Sequence, residues 1–288
     1  MNRSDHWPGP RPVHDPKAVG LLALDIDGTI ADGWPERISD RVAAAVNRAS
    51  ADPRLAVVFA TGRSAHSAMR VAHQLGVIHG WVVCSNGTLI LELDPAAERG
   101  YRIDRKVSFD PGPALQVVLR LLPEALVAVE EVGVGFKVTE NYPVGELEGR
   151  ITVVPLAELA TPPATRVILR SIERRPEEME QVMAGVELPG ASFTFGWAGW
   201  LDLNPPGVSK ASTLEILRQR LGVPPEGTVA IGDGGNDLAM LSWASRGVVM
   251  GGSQPQVVAA GNEVTGTVEE DGAAWVIDDV LAHLPAHP

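Results

Sequence analysis

Two aspartates close an apolar run near the start of the sequence. Residues 19–24 are apolar, and Asp25 and Asp27 follow them directly. At such a position one carboxylate can act as a nucleophile, while the other donates and then accepts a proton. Because carboxylates this close repel each other, both stay ionised only when a cation lies between them. The pair therefore indicates group-transfer chemistry that depends on a bound cation.

Further polar residues with related chemistry follow other apolar runs. Asp233 and Asp237 stand in the segment GDGGND, a part of the sequence with no histidine or cysteine. Mg²⁺ prefers such hard oxygen ligands, so we predict a magnesium site. Thr61 and Gly62 offer a hydroxyl and backbone N–H groups for an anion, and Lys210 offers a compact positive charge. A nucleophile, a cation and fixed donors are the parts that phosphoryl transfer requires.

The apolar runs predict the strands that position these residues. Residues 55–60, 81–84 and 228–231 are short and apolar, which is typical of strands buried on both faces of a parallel sheet. Helical patterns alternate with these runs, and such alternation predicts an α/β fold with a doubly wound, Rossmann-like parallel sheet. Ligands bind at the carboxyl ends of parallel strands, so we expect the polar residues to meet there.

The pattern of apolar and polar residues changes near residue 108. Residues 108–199 mix helical and β patterns, as expected for an α+β domain inserted into the main fold. We therefore predict a catalytic core made of residues 19–107 and 200–288, with the insert 108–199 above it. Residues 1–18 are rich in proline, and we expect them to form a solvated tail.

Four segments resemble, in order, the four motifs of the haloacid dehalogenase-like phosphohydrolases. They read LLALDIDGTIADG, FATGR, GVSKASTLEIL and IGDGGNDLAML. The insert resembles the type IIB cap of the Cof-like branch of this family, and the likeness extends over about residues 19 to 286. The resemblance implies an enzyme that passes a phosphoryl group to one of its own aspartates and then to water.

The resemblance implies a role for each matching residue. Asp25 would be the nucleophile that carries the phosphoryl group, and Asp27 would be the general acid and then the general base. The substrate phosphate would be held by Thr61, Gly62, Lys210 and, from the SNGT segment, Asn86.

The same resemblance implies the ligands of the Mg²⁺ ion. Asp25 and Asp233 would supply carboxylate oxygens, and Asp27 would contribute its backbone carbonyl. The residues that orient or complete this metal site would be Asn236 and Asp237.

Three other side chains keep more than one interpretation. Arg63 could hold phosphate, cap a helix or pair with a carboxylate of the core. Lys137 could face the active site from the insert or lie exposed on a surface. Cys84 could be a nucleophile or a small buried thiol, and its position at the end of an apolar run favours the buried thiol. Since the motif residues lie outside the insert, we expect the insert to select substrates, with Lys137 as the first residue to test.

Three functions are consistent with these residues. The preferred one is a Mg²⁺-dependent phosphatase of small phosphorylated metabolites, with sugar phosphates favoured by the resemblance. A sugar phosphomutase could use the same aspartate pair, but it would return the phosphoryl group to a bisphosphate intermediate. A non-enzymatic phospho-aspartate signalling module also uses aspartate, threonine and lysine at strand ends. That module needs neither the acid and base Asp27 nor an insert above the site.

Composition restricts the partners and the compartment. The chain has 36 acidic and 24 basic residues and a net charge of −12, which repels nucleic acid and anionic lipid. Its apolar runs fall far below the ~18 residues that a membrane helix needs. The single cysteine excludes an intrachain disulfide and is typical of a reducing compartment. We therefore expect a cytoplasmic protein without a nucleic-acid or membrane partner, whereas the oligomeric state is not determined by the sequence.

Overall fold

The computed structural model describes residues 20–33, 36–161, 163–195 and 200–285. The tail predicted over residues 1–18 lies outside the described residues. The strands are β1 Gly20–Leu24, β2 Leu55–Ala60, β3 Gly80–Cys84, β4 Leu89–Leu93, β5 Tyr101–Lys106, β6 Leu126–Glu131, β7 Gly135–Val138, β8 Arg150–Val153, β9 Val167–Arg170, β10 Ser192–Phe195, β11 Trp200–Asn204, β12 Thr228–Gly232, β13 Arg246–Val249 and β14 Glu263–Val264. The helices are α1 Asp40–Ala51, α2 Ala65–Gln74, α3 Gly112–Leu121, α4 Leu156–Leu159, α5 Pro176–Met183, α6 Lys210–Leu221, α7 Leu238–Trp243, α8 Pro255–Val258 and α9 Gly272–His283. Within this described part of the chain, every helix is too short or too polar to cross a bilayer.

The strands form two sheets. The core sheet has the order β14-β13-β12-β1-β2-β3-β4-β5, and the insert sheet has the order β10-β11-β9-β6-β7-β8. Neighbours from β14 to β3 pair in parallel, whereas β4 and β5 extend the core sheet as antiparallel strands. The parallel α/β sheet predicted from the apolar runs is therefore confirmed.

Helices pack on both faces of the core sheet. Leu22 and Leu24 of β1 contact α1, α2 and α9 on one face, and Leu21 and Ala23 contact α6 and α7 on the other. This arrangement follows from the period of two in a strand, which sends successive side chains to opposite faces. Burying each aliphatic side chain contributes roughly 1.5–3 kcal/mol to stability. Strand β1 is thus a rigid support for Asp25, the residue that follows it.

Serine hydroxyls cap the N-termini of two helices, and these N-termini lie near the carboxyl ends of the parallel strands. Ser64 accepts a hydrogen bond from the Ser67 N–H at the start of α2, and Ser209 accepts one from the Ser212 N–H at the start of α6. Such N-caps satisfy backbone donors that have no partner within the helix. The cap at Ser209 fixes the first turn of α6, and Lys210 is the first residue of that turn.

The insert sheet has faces of different character. Val127, Val167 and Leu201 pack against α3, α4 and α5 on one face. Ala128 and Ile168 lie on the opposite face, in a separate apolar cluster. Strand alternation places three charged residues on that second face, at the end of the sheet nearest the core: Glu130, Arg166 and Asp202.

The boundary predicted between insert and core is five residues too early on its C-terminal side. Strand β11, which we assigned to the core, pairs antiparallel with both β10 and β9. It is therefore an internal strand of the insert sheet. Its apolar pattern is compatible with either sheet, and only the pairing partners decide which sheet it joins.

Lys137 does not lie on the face of the insert sheet that carries Glu130. It stands opposite Val129 in the β6–β7 ladder, on the face that packs against the helices. Its Nζ donates to Glu158 Oε1 of α4 at 2.6 Å. Of the two interpretations of Lys137, the one in which it faces the active site is therefore wrong, because its neighbours Phe136 and Val138 occupy the other face.

A tight contact joins the turn Ser85–Gly87, after β3, to the start of α6. The Thr213 hydroxyl donates to the Gly87 carbonyl at 2.7 Å. Gly87 has a φ of 103°, a value that residues other than glycine rarely adopt. A Cβ on Gly87 would overlap the Ser209 carbonyl oxygen. Glycine therefore allows the turn to approach the helix start that presents Lys210.

We predict that Gly87→Ala destabilises the protein more than Gly222→Ala does. Gly222 also has a positive φ, of 68°, but among the described residues nothing lies within 4 Å of a Cβ there. The backbone cost of about 1–2 kcal/mol is common to both variants. The overlap at Gly87 should lower the free energy of unfolding by roughly another 1–3 kcal/mol. Urea unfolding measures both values, and equal losses would contradict the proposed contact.

Candidate active site

The predicted site residues meet at the carboxyl ends of β1, β2, β3 and β12. Leu24 and Ile231 are partners in the ladder between β1 and β12, and the Asp25 N–H donates to the Ile231 carbonyl at 3.0 Å. This register brings the segment after β12 beside Asp25. Residues more than 200 positions apart in sequence thus share one site, as the strand-end argument predicts.

Lys210 bridges two buried aspartates. Its Nζ lies 2.6 Å from Asp25 Oδ1 and 2.6 Å from Asp237 Oδ1. Burial disfavours the charged ammonium group, but the charges of Asp237 and Asp25 outweigh it and raise the pKa of Lys210. Lys210 therefore stays protonated at the centre of the site and holds the first and last strands of the site together.

Three carboxylates surround this single ammonium group. Oxygens of Asp25, Asp233 and Asp237 all lie within 4.8 Å of one another. Burial and the neighbouring Asp237 raise the pKa of Asp25 well above its usual value, and the same causes raise the pKa of Asp233 to about 6. The cluster has more negative than positive charge, and all its ligand atoms are hard oxygens. These residues fit a divalent cation of the oxygen-preferring kind.

Two local features shape the segment after β12. Asp237 Oδ2 accepts hydrogen bonds from the N–H groups of Asp233 and Gly234, at 3.1 and 3.0 Å. Gly28 has a φ of 75°, and a Cβ there would overlap the Asp233 carboxylate. Asp237 thus fixes the backbone of the segment, while Gly28 leaves room for the Asp233 side chain beside β1.

Asp27 is paired with Arg63. The Arg63 guanidinium donates to Asp27 through Nη2 at 2.6 Å and through Nε at 2.9 Å. The Asp27 side chain is 58% exposed although that of Arg63 is only 7% exposed. Of the roles left open for Arg63, the structure shows pairing with a carboxylate. A bidentate pair of this kind fixes the orientation of the Asp27 carboxylate.

Thr61, Gly62, Asn86 and Asn236 lie side by side next to the carboxylates. Thr61 is buried, and its Oγ1 accepts the Arg63 N–H at 3.0 Å. Asn236 Nδ2 donates to Asn86 Oδ1 at 3.2 Å. A Cβ on Gly62 would come within 3.0 Å of Asn86 Oδ1 and 3.2 Å of Asn236 Nδ2. The four residues therefore form one contiguous group, and Asn236 contacts Asn86 through its amide.

Sequence reasoning missed two residues of the insert that contact this region and a third that pairs with one of them. Ser85 and Asn86 donate to Glu130 and Asp202, and Arg166 pairs with Asp202. A signal was present in the sequence, because Asp202 is a charged residue between apolar neighbours in a strand. Such a residue is buried only when it has a partner. The sequence does not say, however, which partner it meets.

Comparison with known proteins gives a family match over most of the chain. The model of the haloacid dehalogenase-like hydrolase family matches residues 22–107 and 150–277. These two segments contain every site residue predicted above, and they leave out the first part of the insert.

Curated relatives resemble the chain over nearly its full length. The phosphatase YwpJ of Bacillus subtilis (strain 168) is 24% identical over 286 residues, covering 91% of this chain and 99% of that protein. The 5-amino-6-(5-phospho-D-ribitylamino)uracil phosphatase YcsE of the same organism is 25% identical over 272 residues, covering 90% of this chain and 94% of that protein.

Solved structures share the fold. The phosphatase BT1666 from Bacteroides thetaiotaomicron superposes with a TM-score of 0.72 at 26% identity, with 97% of each chain covered. The subclass IIB sugar phosphatase BT4131 superposes with a TM-score of 0.73 at 22% identity, covering 90% of this chain and 98% of that one. The arrangement of core sheet and insert sheet is therefore one that solved structures also have.

We predict that, in the protein without divalent cations, the contribution of Asp233 to stability falls as pH rises from about 4 to about 6. The pKa of Asp233 is raised to about 6 in the folded state, so the folded protein binds more protons than the unfolded chain in this window. The unfolding free energy contributed by this group therefore falls with rising pH. Adding a divalent cation should stabilise the protein more at about pH 7 than at about pH 4, because its ligands must be deprotonated.

Urea unfolding in chelator and in cation buffer checks this prediction. Asp233→Asn is the matched variant, since it keeps the side-chain shape and removes the titrating group. It should show a smaller loss of stability with pH and a smaller effect of the cation. Equal effects of the cation on both proteins would argue against Asp233 as a ligand.

Proposed function

The chain belongs to the haloacid dehalogenase-like hydrolases, and we propose that it is a Mg²⁺-dependent phosphatase of small phosphorylated metabolites, with sugar phosphates as the favoured class. The observation that carries the proposal is the buried contact of Lys210 with Asp25 beside two further carboxylates. It combines a nucleophile, a fixed positive charge and a place for a cation within one site. These are the requirements of phosphoryl transfer.

A Mg²⁺ ion would be held by the side chains of Asp25 and Asp233 and the backbone carbonyl of Asp27. Asn236 and Asp237 would support it by fixing the surrounding segment. When bound, the ion supplies positive charge that offsets the carboxylates and the phosphoryl oxygens.

In the first step, an Asp25 carboxylate oxygen attacks the phosphorus atom in line with the leaving oxygen. A new bond forms between Asp25 and phosphorus, and the bond from phosphorus to the substrate oxygen breaks. Asp27, in its protonated form, gives its proton to the departing oxygen, so an alcohol leaves. The partial exposure of the Asp27 side chain supports this role, because an accessible carboxyl group can reach the leaving oxygen of a bound substrate.

In the second step, water attacks the phosphorus atom of the aspartyl phosphate. Asp27 is now ionised and accepts a proton from this water, while the bond between Asp25 and phosphorus breaks. Inorganic phosphate leaves and the Asp25 carboxylate is restored. Because the same group acts as acid and then as base, Arg63 must hold Asp27 in one orientation through both steps.

The transferred phosphoryl group needs donors that stay fixed while its charge shifts. We assign this role to Lys210, to the Thr61 hydroxyl and the N–H groups around Gly62, and to the Asn86 amide. Burial of Thr61, Asn86 and Lys210 supports the assignment, since their positions are set before a substrate arrives.

Two observations favour hydrolysis over the mutase and signalling alternatives. The relatives YwpJ and YcsE are both phosphatases by name, and the chain belongs to a family of hydrolases. Phosphate release from a panel of phosphorylated sugars, nucleotides and cofactors would test the proposal. Incubation with a hexose 1-phosphate, assayed for free phosphate and for the 6-phosphate, distinguishes the phosphatase from the phosphomutase.

We predict that Asp25→Asn abolishes turnover. The amide is a poor nucleophile, and the change also removes a negative ligand from the metal site. Folding should survive because the side-chain shape is kept and Lys210 retains Asp237 as a charged partner. Phosphate release with p-nitrophenyl phosphate measures the effect, with circular dichroism as the control for folding. Activity within tenfold of the wild type would show that Asp25 is not the nucleophile.

We predict that Asp27→Asn slows alkyl phosphates by roughly 10²–10⁴-fold, the usual contribution of general acid–base catalysis. An aryl phosphate should suffer less in the first step, because its leaving group departs without a proton. Pre-steady-state release of p-nitrophenol isolates that step from the later hydrolysis. Equal defects in the first step for alkyl and aryl substrates would rule out Asp27 as the acid.

A further inference from the structure

The turn after β3 contains two residues in an unusual conformation. Ser85 and Asn86 have φ values of 50° and 55°, and neither is glycine. Residues in this left-handed region cost free energy and persist only where the surroundings hold them. Both side chains are buried. The turn therefore depends on the contacts that its side chains make.

Both of these side chains are held by carboxylates of the insert sheet. The Ser85 hydroxyl donates to Glu130 Oε2 at 2.5 Å, and Asn86 Nδ2 donates to Asp202 Oδ2 at 3.2 Å. Glu130 is in β6 and Asp202 is in β11, so two separate strands of the insert converge on adjacent residues of the core.

Each carboxylate has a second partner that fixes its position. Glu130 Oε1 accepts the N–H of Ala65, the first residue of α2, at 3.1 Å. Asp202 Oδ1 accepts from Arg166 Nε at 2.9 Å. Glu130, Arg166 and Asp202 are all buried. Burying three charged groups at a boundary between two domains costs free energy of desolvation. Apolar residues of similar volume often stabilise such a boundary as well or better.

On its other side, Asn86 contacts the proposed phosphate site. Its Oδ1 accepts from Asn236 Nδ2 at 3.2 Å, and its N–H donates to the Thr61 carbonyl at 3.2 Å. Gly62 packs against the same amide oxygen. Asn86 is thus in contact with the insert through its Nδ2 and with the phosphate and metal segments through its Oδ1 and N–H.

We propose that Asp202 and Glu130 are positioning residues for phosphoryl transfer, and that they act by holding Asn86 and the turn around it in the geometry that the phosphate site needs. This inference rests on the proposed function. It gives the insert a part in the chemistry common to all substrates, in addition to the selection of substrates that the sequence suggests. A defect at either residue should therefore be the same for every phosphate ester.

The chain offers a matched control on the same face of the insert sheet. Glu146 accepts hydrogen bonds from Arg170 Nε and Trp200 Nε1, both residues of the insert. Its side chain is 12% exposed and forms an ion pair, as Asp202 does. Glu146→Gln therefore weakens a similar pair within the insert, away from the turn at Ser85.

The first experiment compares Asp202→Asn, Glu130→Gln and Glu146→Gln in Mg²⁺ buffer. Loss of a partner that orients an active-site group typically costs roughly 10–100-fold in activity. We expect kcat/KM to fall by this factor in the first two variants, equally for p-nitrophenyl phosphate and an alkyl phosphate, and to stay within about twofold in the third. Affinity for inorganic phosphate, measured by calorimetry, should fall in the same order. Wild-type activity and phosphate affinity in Asp202→Asn and Glu130→Gln would overturn the inference.

A double-mutant cycle tests whether Asp202 acts through Asn86. Asn86→Gly removes the side chain and suits the positive φ, so it adds no backbone strain. If the inference holds, Asp202→Asn lowers kcat/KM by less than about twofold in the Asn86→Gly background, because the contact that it would break is already absent there. An equal decrease of kcat/KM in both backgrounds would show a merely structural role for Asp202 and overturn the inference.

The outcomes also separate this inference from the proposed function. If the wild type hydrolyses phosphate esters while the Asp202 and Glu130 variants match it, the positioning role fails and the phosphatase stands. If the wild type releases no phosphate from any ester, both fail. Should Asp202→Asn not fold, Glu130→Gln carries the same test, because it leaves the Asp202 and Arg166 pair intact.

Discussion

The buried ammonium group of Lys210 is the interaction on which the site depends. It touches carboxylates from two different strand ends, Asp25 after β1 and Asp237 after β12. Breaking a buried ion pair by removing one partner commonly costs about 3–5 kcal/mol, because an uncompensated charge remains inside the protein. The fold therefore has to deliver three elements to one point: β1, the segment after β12 and the start of α6. The serine cap of α6 and the glycine of the Ser85–Gly87 turn both serve this requirement.

The site around Lys210 contains more negative than positive charge, which is the reason that a divalent cation fits it. One ammonium group faces Asp25, Asp233 and Asp237, and burial makes the negative charges of Asp25 and Asp233 more costly still. A divalent ion would remove that cost and would also attract a phosphate ester, which brings further negative charge. The site thus holds an excess of negative charge that the proposed cation can offset, and an anionic substrate needs that cation and Lys210 in order to bind beside the carboxylates.

The sequence predicted the parts of this account that depend on strand ends. Asp25, Thr61, Asn86 and Asp233 each follow an apolar run, and parallel pairing brings such positions together whatever the details of packing. The pairing partners of a strand and the sheet face on which a side chain lies were harder to predict from the sequence. The apolar run of β11 fits either sheet, and Lys137 could be placed on a face only after the β6–β7 register was known. The contacts of Glu130 and Asp202 with the core join residues far apart in sequence, and no local pattern specifies such partners.

The central claim is that Asp25 carries the phosphoryl group during turnover. Rapid quenching under steady-state conditions, followed by reduction with borohydride, converts an aspartyl phosphate into homoserine, which peptide mapping can locate. We predict this modification at position 25, only when substrate is present. Steady phosphate release without modification at position 25, or with modification at position 27 instead, would contradict it.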